Sequence, residues 1–533
     1  MKCNSRFFLF SYYFLIFCTP LTSVICANRD SNFDFDFLSD DDHTNEISTE
    51  KHTPPAETRV AKDDAVLTLV SFNAQNVLKT NIYRHTYQPL SRSPHDVPIL
   101  QYFALFHNNQ TAFKITPFFS SVWNQSFTQK STHLKSYLDL EIPDIIQLID
   151  DNQFAPFNVL NILKLFHTIK IQEHTVGFML NGVKVIDDWA YTAALPISYV
   201  INNFYLTAQE RERISNEPAF EQFTGSITEF ARQHCISDRF GIGDLQLTVE
   251  KMMYDEHKGS YSLGVQVTVP TAFAFKKGMI GTHFDATKPA PELDFHTDLI
   301  KPSIEDMATN TPIIQKKASD YGYATMDRLS TILLEHNMGN NYHWGLGVFM
   351  RSQMNFNDSI SLISKTSFDI KAPSVVKRFF LLENTAAEFD QFNWNDNTSQ
   401  IDEKLTFLNT RLKNTFFPEM HFATVFPGVT FHSTSCLRKH MAEGRWSPSI
   451  GTDFWFNSGE HFLDINASEY VLSHIDPKKY CRKSALNSSF WIALERPEYS
   501  LSSWSYSLKA YTSFMNAGFG DALGIAFSLE KSF

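Results

Sequence analysis

The chain has 533 residues, 43% of them hydrophobic and 20% charged, with a formal net charge of -12. It carries no basic stripe, which argues against a nucleic-acid partner. Six cysteines in so long a chain do not make a disulfide scaffold, and no later segment reaches the roughly eighteen consecutive apolar residues of a membrane-spanning helix.

Lys2 and Arg6 precede the apolar run Phe7–Phe17, and Ile25-Cys26-Ala27 ends on a small residue. This order is that of a secretory signal peptide, with cleavage expected after Ala27. Residues 28–64 hold eleven acidic and four basic side chains, including Asp40-Asp41-Asp42, and read as a solvated arm. Residues 65–533 then form one domain with insertions. The mature chain keeps Cys235, Cys436 and Cys481. Cys436 and Cys481 are candidates for a single bridge in an oxidising compartment. No metal-ligand spacing occurs. His421, His432 and His440 are loosely grouped and are read as surface or lumen histidines, so neither a metal nor a cofactor is expected.

Alternation with period two marks strands, because successive side chains point to opposite faces. It runs through Ala112–Val122, His174–Val185 and Trp189–Val200. In Leu245–Met253 and Tyr261–Val269 it is clearest: Tyr261, Leu263, Val265, Val267 and Val269 share one face, and Ser262, Gly264, Gln266 and Thr268 the other. The polar turn between these two makes them a hairpin. His343–Phe356, Ile360–Lys371, Ala423–Thr434, Trp446–Asn457, Ser489–Arg496 and Trp504–Phe514 follow. Leu523–Phe533 closes the series, with Leu523, Ile525, Phe527 and Leu529 on one face. These are twelve strands, and a further one near Ile99–Phe106 or Ala65–Phe72 would raise the count toward fourteen. Trp189, Trp344, Trp446 and Trp504 stand at strand ends, as interfacial belts require. Between strands, Leu140–Ile169 is apolar enough to pack inside a lumen, Ala318–Asn337 has a helical pattern, and Thr385–Thr415 is polar and partly helical.

The final strand resembles that of bacterial outer-membrane β-barrels, which ends in Phe with apolar residues alternating back from it; Phe533, Leu529, Phe527 and Ile525 match. Gly241-Ile242-Gly243-Asp244 and Gly518-Phe519-Gly520-Asp521, each opening an alternating strand, resemble turns of the phenol meta-degradation family and of hydrophobic-compound uptake barrels. The resemblance implies an all-β, transmembrane antiparallel up-and-down barrel of about twelve strands (ten to fourteen), with long partly helical loops or a lumen plug. It implies a Gram-negative outer-membrane location, surrounding lipid as a partner, and recognition of Ile525, Phe527, Leu529 and Phe533 by the barrel-assembly machinery.

In such a barrel the apolar faces meet lipid and the polar faces line the lumen. The lining candidates are Gln246, Thr248, Glu250, Ser262, Gln266, Thr268, Ser528 and Glu530. The polar faces hold mainly small or uncharged groups, which leaves room for a solute or an insert. A narrow channel or uptake pore for small, including hydrophobic, solutes is therefore the expected function. A structural or surface-interaction barrel without transport is the alternative. An enzyme is not expected: His432 and Ser433 are adjacent on a strand and point to opposite faces, and no G-x-S-x-G elbow occurs.

Overall fold

A strand with one apolar and one polar face is stable in lipid only if its neighbours pair on both edges and the sheet closes. In the computed structural model the alternating segments do this. It describes residues 111–125, 170–205, 227–281, 323–382, 417–441, 446–496 and 504–532, apart from short gaps within them, and isolated positions between them. The predicted signal peptide, the acidic arm, the segments near Ala65–Phe72 and Ile99–Phe106, Leu140–Ile169, most of Thr385–Thr415 and Phe533 lie outside the described residues.

Strands β1 (Thr111–Gln125), β2 (Lys170–Ile186) and β3 (Trp189–Tyr205) form a meander. The β2–β3 turn is Asp187-Asp188, and Asp187 adopts φ 52°, the left-handed conformation that a two-residue hairpin turn uses. β4 (Ile236–Ile242) and β5 (Leu245–Glu256) both pair with β3, one above the other. β6 (Gly259–Val269) pairs with β5, and β7 (Phe273–Lys277) continues upward from β6 to pair with β4. β8 (Gly345–Asn357) and β9 (Ile360–Lys371) follow, then β10 (Ser374–Phe380), β11 (Glu419–Phe426), β12 (Val429–Lys439), β13 (Ser447–Asn457) and β14 (His461–Asn466). β15 (Ala485–Arg496), β16 (Trp504–Ala517) and β17 (Asp521–Ser532) complete the wall.

Every pairing is antiparallel, and β17 pairs back onto β1 from Ala112↔Ser532 to Trp123↔Asp521. The closed ring is β1, β2, β3, β5, β6, β8, β9, β12, β13, β15, β16 and β17. These twelve are the twelve segments marked by alternation. Four shorter strands were not, and a fifth, β11, was marked only at its end. β4 and β7 extend the wall above β5 and β6, and β10, β11 and β14 form a separate three-stranded sheet above β9, β12 and β13. They were missed because they are short continuations of strands already counted. Ala423–Thr434, read as one strand, is in fact the end of β11 and the start of β12, broken at Pro427-Gly428, where Gly428 takes φ 83°. Gly241-Ile242-Gly243-Asp244 is not a hairpin turn but the break between β4 and β5. The second motif does span a hairpin, β16 to β17, with Gly520 at φ 102°.

The outer face is apolar. Val176, Leu247, Val249, Leu263, Val265, Leu346, Val348, Ile450, Ile492, Leu508 and Ile525 are all exposed, and between them on the same strands lie buried polar side chains. This is the inverse of a soluble protein and is the exterior of a bilayer-spanning barrel. Trp189, Trp446 and Trp504 are exposed at one rim, Trp344 at the opposite one. Lys251 lies over the Trp189 ring at 5.4 Å and Lys531 over Trp504 at 5.5 Å, so Lys531, unusual in a terminal strand, belongs to the aromatic rim. The rim with Trp189 carries the two-residue turns, and the connections 126–169, 278–344 and 381–418 leave from the other. In barrels of this kind the short turns face the periplasm and the long connections face outward.

Candidate functional site in the barrel interior

The side chains that alternate with the apolar belt point inward, and all eight predicted lining residues do so. Glu250, Ser262, Thr268, Ser528 and Glu530 are buried; Gln246, Thr248 and Gln266 are half-buried. Ser262 Oγ donates to Glu250 Oε1 at 3.2 Å, Arg351 Nε approaches the same oxygen at 3.7 Å, and Gln266 Nε2 donates to Asp369 Oδ1 at 2.5 Å. Ser528 Oγ meets Ser507 Oγ at 2.6 Å. Glu530 stands opposite Lys114 in the register that closes the barrel. Of the expected terminal signal, Ile525 and Phe527 are exposed on the lipid face and Leu529 is half-buried.

The expectation of small, uncharged inner faces is corrected. Lys114, Arg438, Glu495 and Lys509 are all buried inside, and Arg438 Nη2 lies 3.1 Å from Glu495 Oε2. Ser449 Oγ donates to Glu495 Oε1 at 3.3 Å. The charges come in opposite-sign neighbours because a buried charge without a partner costs several kcal/mol (about 3–5 when one partner is removed). Lys114 and Lys509 sit on inward positions of strands the alternation had marked, so the same count of two would have found them. Arg438 was missed because the predicted strand stopped at Thr434.

Large rings are also present, and glycine decides where they lie. Trp491 faces Gly451 in register, Tyr511 faces Gly524, and Phe349 faces Gly264. In each case a Cβ on the glycine would collide with the ring, so each ring rests against the wall of the adjacent strand. Two carry a lysine: Lys509 Nζ lies 4.5 Å from the centre of Trp491 and Lys365 Nζ 5.5 Å from that of Phe349. Trp491 also faces Tyr511, so Gly451, Trp491, Tyr511 and Gly524 form one row across β13, β15, β16 and β17. Thr116 Oγ1, Glu250 Oε2 and Trp491 Nε1 are buried without a protein hydrogen-bond partner; polar atoms of this kind are water sites.

The outward mouth has its own hydrophobic core. Ile171 and Phe204, at the upper ends of β2 and β3, join Phe230 and Cys235, then Met326, Leu329, Ile332, Leu333 and Leu334 of the 326–334 segment. Residues 326–333 are helical, within the predicted helical stretch. The same core continues to Val376, Phe380, Ala423, Val425 and Ile465 of the three-stranded sheet. β2 and β3 lie across the ring from β9, β12 and β13, which carry that sheet, so this core crosses the mouth. Asn202 Nδ2 donates to Leu334 O at 2.9 Å and Arg239 pairs with Glu335 at 3.1 Å, which tie the crossing segment to the wall. Glu460 is buried between Arg378 (3.0 Å) and Arg482 (3.4 Å) at the foot of the sheet.

His432 Nε2 meets Asp453 Oδ1 at 2.6 Å, whereas Ser433 Oγ meets Thr366 Oγ1 at 3.1 Å. The two neighbours thus engage different strands on opposite faces. His421 pairs with Glu419 at 3.0 Å and His440 with Ser361 at 2.8 Å, so the three histidines do not converge. No group of three metal-ligating side chains occurs among the described residues. The suggested Cys436–Cys481 bridge is not formed: all three described cysteines are free. Cys436 lies in the barrel wall on β12, while Cys481 lies between β14 and β15 beside the outward mouth.

No protein-family model matches the chain, and no curated protein is significantly similar to it. Among solved structures, an outer-membrane channel from Pseudomonas putida F1 aligns at 9% identity over 80% of this chain and 96% of that one, with a TM-score of 0.38. The P. putida toluene transporter TodX aligns at 9% identity over 80% and 90%, TM-score 0.29. The translocator domain of the autotransporter NalP from Neisseria meningitidis aligns at 7% over 81% and 92%, TM-score 0.30. At these values the architecture of the chain rests on its own strand pairing.

Proposed function

We propose that this chain is an outer-membrane barrel through which small solutes pass, closed at rest by the apolar core across its outward mouth. The observation that carries the reading is the pairing of that core with a polar, charged interior below it. A wall of opposite charges and water-seeking polar atoms suits a hydrated path, and rings laid on glycines occupy less of the bore than rings pointing at its axis. The residues in named roles are Lys114, Glu250, Arg351, Arg438, Glu495, Lys509 and Glu530 as the charged lining, and Leu329, Ile332 and Leu333 as the closing core. The charged interior favours polar solutes; hydrophobic cargo, which the G-x-G-D motifs bring to mind by resemblance, would travel along the apolar cap instead. No chemical step is assigned, and the assembly machinery is the expected partner of the final strand.

Planar-bilayer recording tests this, with wild type compared with Leu333→Asn, which puts an unpaired amide into the cap core. Wild type should open rarely and the variant more often, with heat-modifiable mobility showing that both are folded. A labelled fatty-acid uptake assay covers cargo that carries no current. If neither protein conducts and neither assay shows uptake, the structural barrel is the better account. One observation favours that second reading: Lys114, Trp491 and Glu495 are 2%, 1% and 1% exposed, and a filled interior is what a purely structural barrel has.

A further inference from the structure

The upper wall is not sealed all the way round. β7 is the terminal strand of the large sheet and β10 the first strand of the small one, so neither has a strand on its facing side among the described residues. Both margins of this seam are apolar and aromatic on the outside. On the β7 side Phe273 is 61% exposed and Phe275 57%, and Phe240 and Phe275 pack at 5.8 Å. On the β10 side Val375 and Phe422 are exposed. Trp344, just before β8, marks the same rim, so the patch sits where lipid headgroups meet acyl chains.

The seam also concentrates positive charge. Lys276 stands opposite Phe240 on the outer face, whereas Lys277, opposite the buried Arg239, belongs to the inner face. Lys377 Nζ lies over the Phe422 ring at 6.0 Å. Arg239 is neutralised by Glu335, whereas Lys276, Lys277 and Lys377 have no ion-pair partner among the described residues. Lys276 on the β7 margin and Lys377 on the β10 margin both share the outer face with exposed aromatic rings, so positive charge flanks the seam from both sides.

We propose that the β7–β10 seam binds a phosphate-bearing anionic lipid of the surrounding leaflet, with its phosphate between Lys276 and Lys377 and its acyl chains on Phe240, Phe273, Phe275, Val375 and Phe422. Aromatic rings alone would serve any lipid at an interface; two lysines on the outer face of the seam, one on each margin, select a negative headgroup. The inference rests on the barrel lying in a bilayer and does not depend on passage.

The test uses the full chain in neutral detergent micelles, titrated with phosphatidylglycerol and followed by native mass spectrometry. Wild type should take up phosphatidylglycerol saturably and phosphatidylcholine far more weakly. A basic residue near a membrane surface contributes about a fivefold factor, so K276Q/K377Q should weaken the binding on the order of thirtyfold. The control variant K251Q/K531Q removes the same charge from the opposite rim and should bind as wild type does. Heat-modifiable mobility establishes that each is folded. Undiminished binding in the seam variant, an equal loss in the control, or equal binding of phosphatidylcholine would overturn the proposal. Displacement of the lipid by millimolar inorganic phosphate would also overturn it, since the occupant would then be a free anion.

Discussion

Replacing Gly524 with Ala tests whether interior rings are seated on glycines. A Cβ at Gly524 would meet the Tyr511 ring, and its three nearest neighbours are all atoms of that side chain, two of the ring and the hydroxyl oxygen. The clash is therefore with one side chain and not with backbone. Overpacking of this size costs about 1–3 kcal/mol. Alanine also regains about 0.5–1 kcal/mol that glycine forfeits inside a strand. The net destabilisation should be about 0.5–2 kcal/mol. With Tyr511 first changed to Ala, the clash is gone and only the gain remains, so Gly524→Ala should then stabilise by about 0.5–1 kcal/mol. The coupling energy between the two sites is thus about 1–3 kcal/mol. Urea titrations of wild type, both single variants and the double variant in phosphatidylcholine vesicles, followed by tryptophan fluorescence, give all four corners of the cycle. If Gly524→Ala has the same effect with and without the Tyr511 ring, the ring does not rest on Gly524. The row from Gly451 through Trp491 and Tyr511 would then need another explanation.

Facing is tested by Val265→Arg, which places a charge on the lipid side and should cost about 2–4 kcal/mol; Gln266→Arg, beside Asp369 in the interior, should cost far less, and vesicle refolding titrations measure both. Glu460→Gln leaves Arg378 and Arg482 without their shared carboxylate and should cost about 3–5 kcal/mol. Burial pushes the Glu460 carboxyl up, but Arg378 and Arg482 outweigh it and hold it below its ordinary value of 4.5. Its contribution is therefore complete above pH 4.5 and lost as pH falls through the lower folded-state value. His343 has the same sign in a higher pH window and from a different cause: burial itself holds its imidazole down to about 4 from 6.5, against the raising effect of its contact with Ala372 O. The unfolded chain takes up the proton first, so stability falls as pH drops from 6.5 toward 4, and urea midpoints across that window should flatten in His343→Gln. Finally, mobility should be the same with and without reductant. Cys481, half-buried, should react with a maleimide before Cys235, whose thiol burial and Asp327 push up to about 12.

The sequence by itself determined the barrel. Period-two alternation survives without knowledge of partners, because in a closed membrane sheet every strand has one face in lipid and the other inside. Leu263 and Val265 outside, with Ser262 and Gln266 inside, could be read from residues alone, and so could Trp189 and Trp504 at the rim. The inward position of each lining candidate came from the same rule. What those residues do there depended on distance. Glu530 stands opposite Lys114, and Arg438 meets Glu495, only because β17 closes onto β1 and β12 stands two strands from β15; separations of 416 and 57 residues carry no local signal. Gly264 and Gly524, on the polar faces of their strands, looked like small lumen residues, and Gly451 carried no signal of its own. Only the register showed that each seats a ring from the next strand. The upper sheet was hidden for a related reason: β10, β11 and β14 are continuations of wall strands past a break, and a continued alternation does not reveal where the hydrogen bonding changes partners. The core across the mouth draws on β2, β3, the 326–334 segment and the upper sheet. Its residues become one surface only when the barrel has brought those elements together.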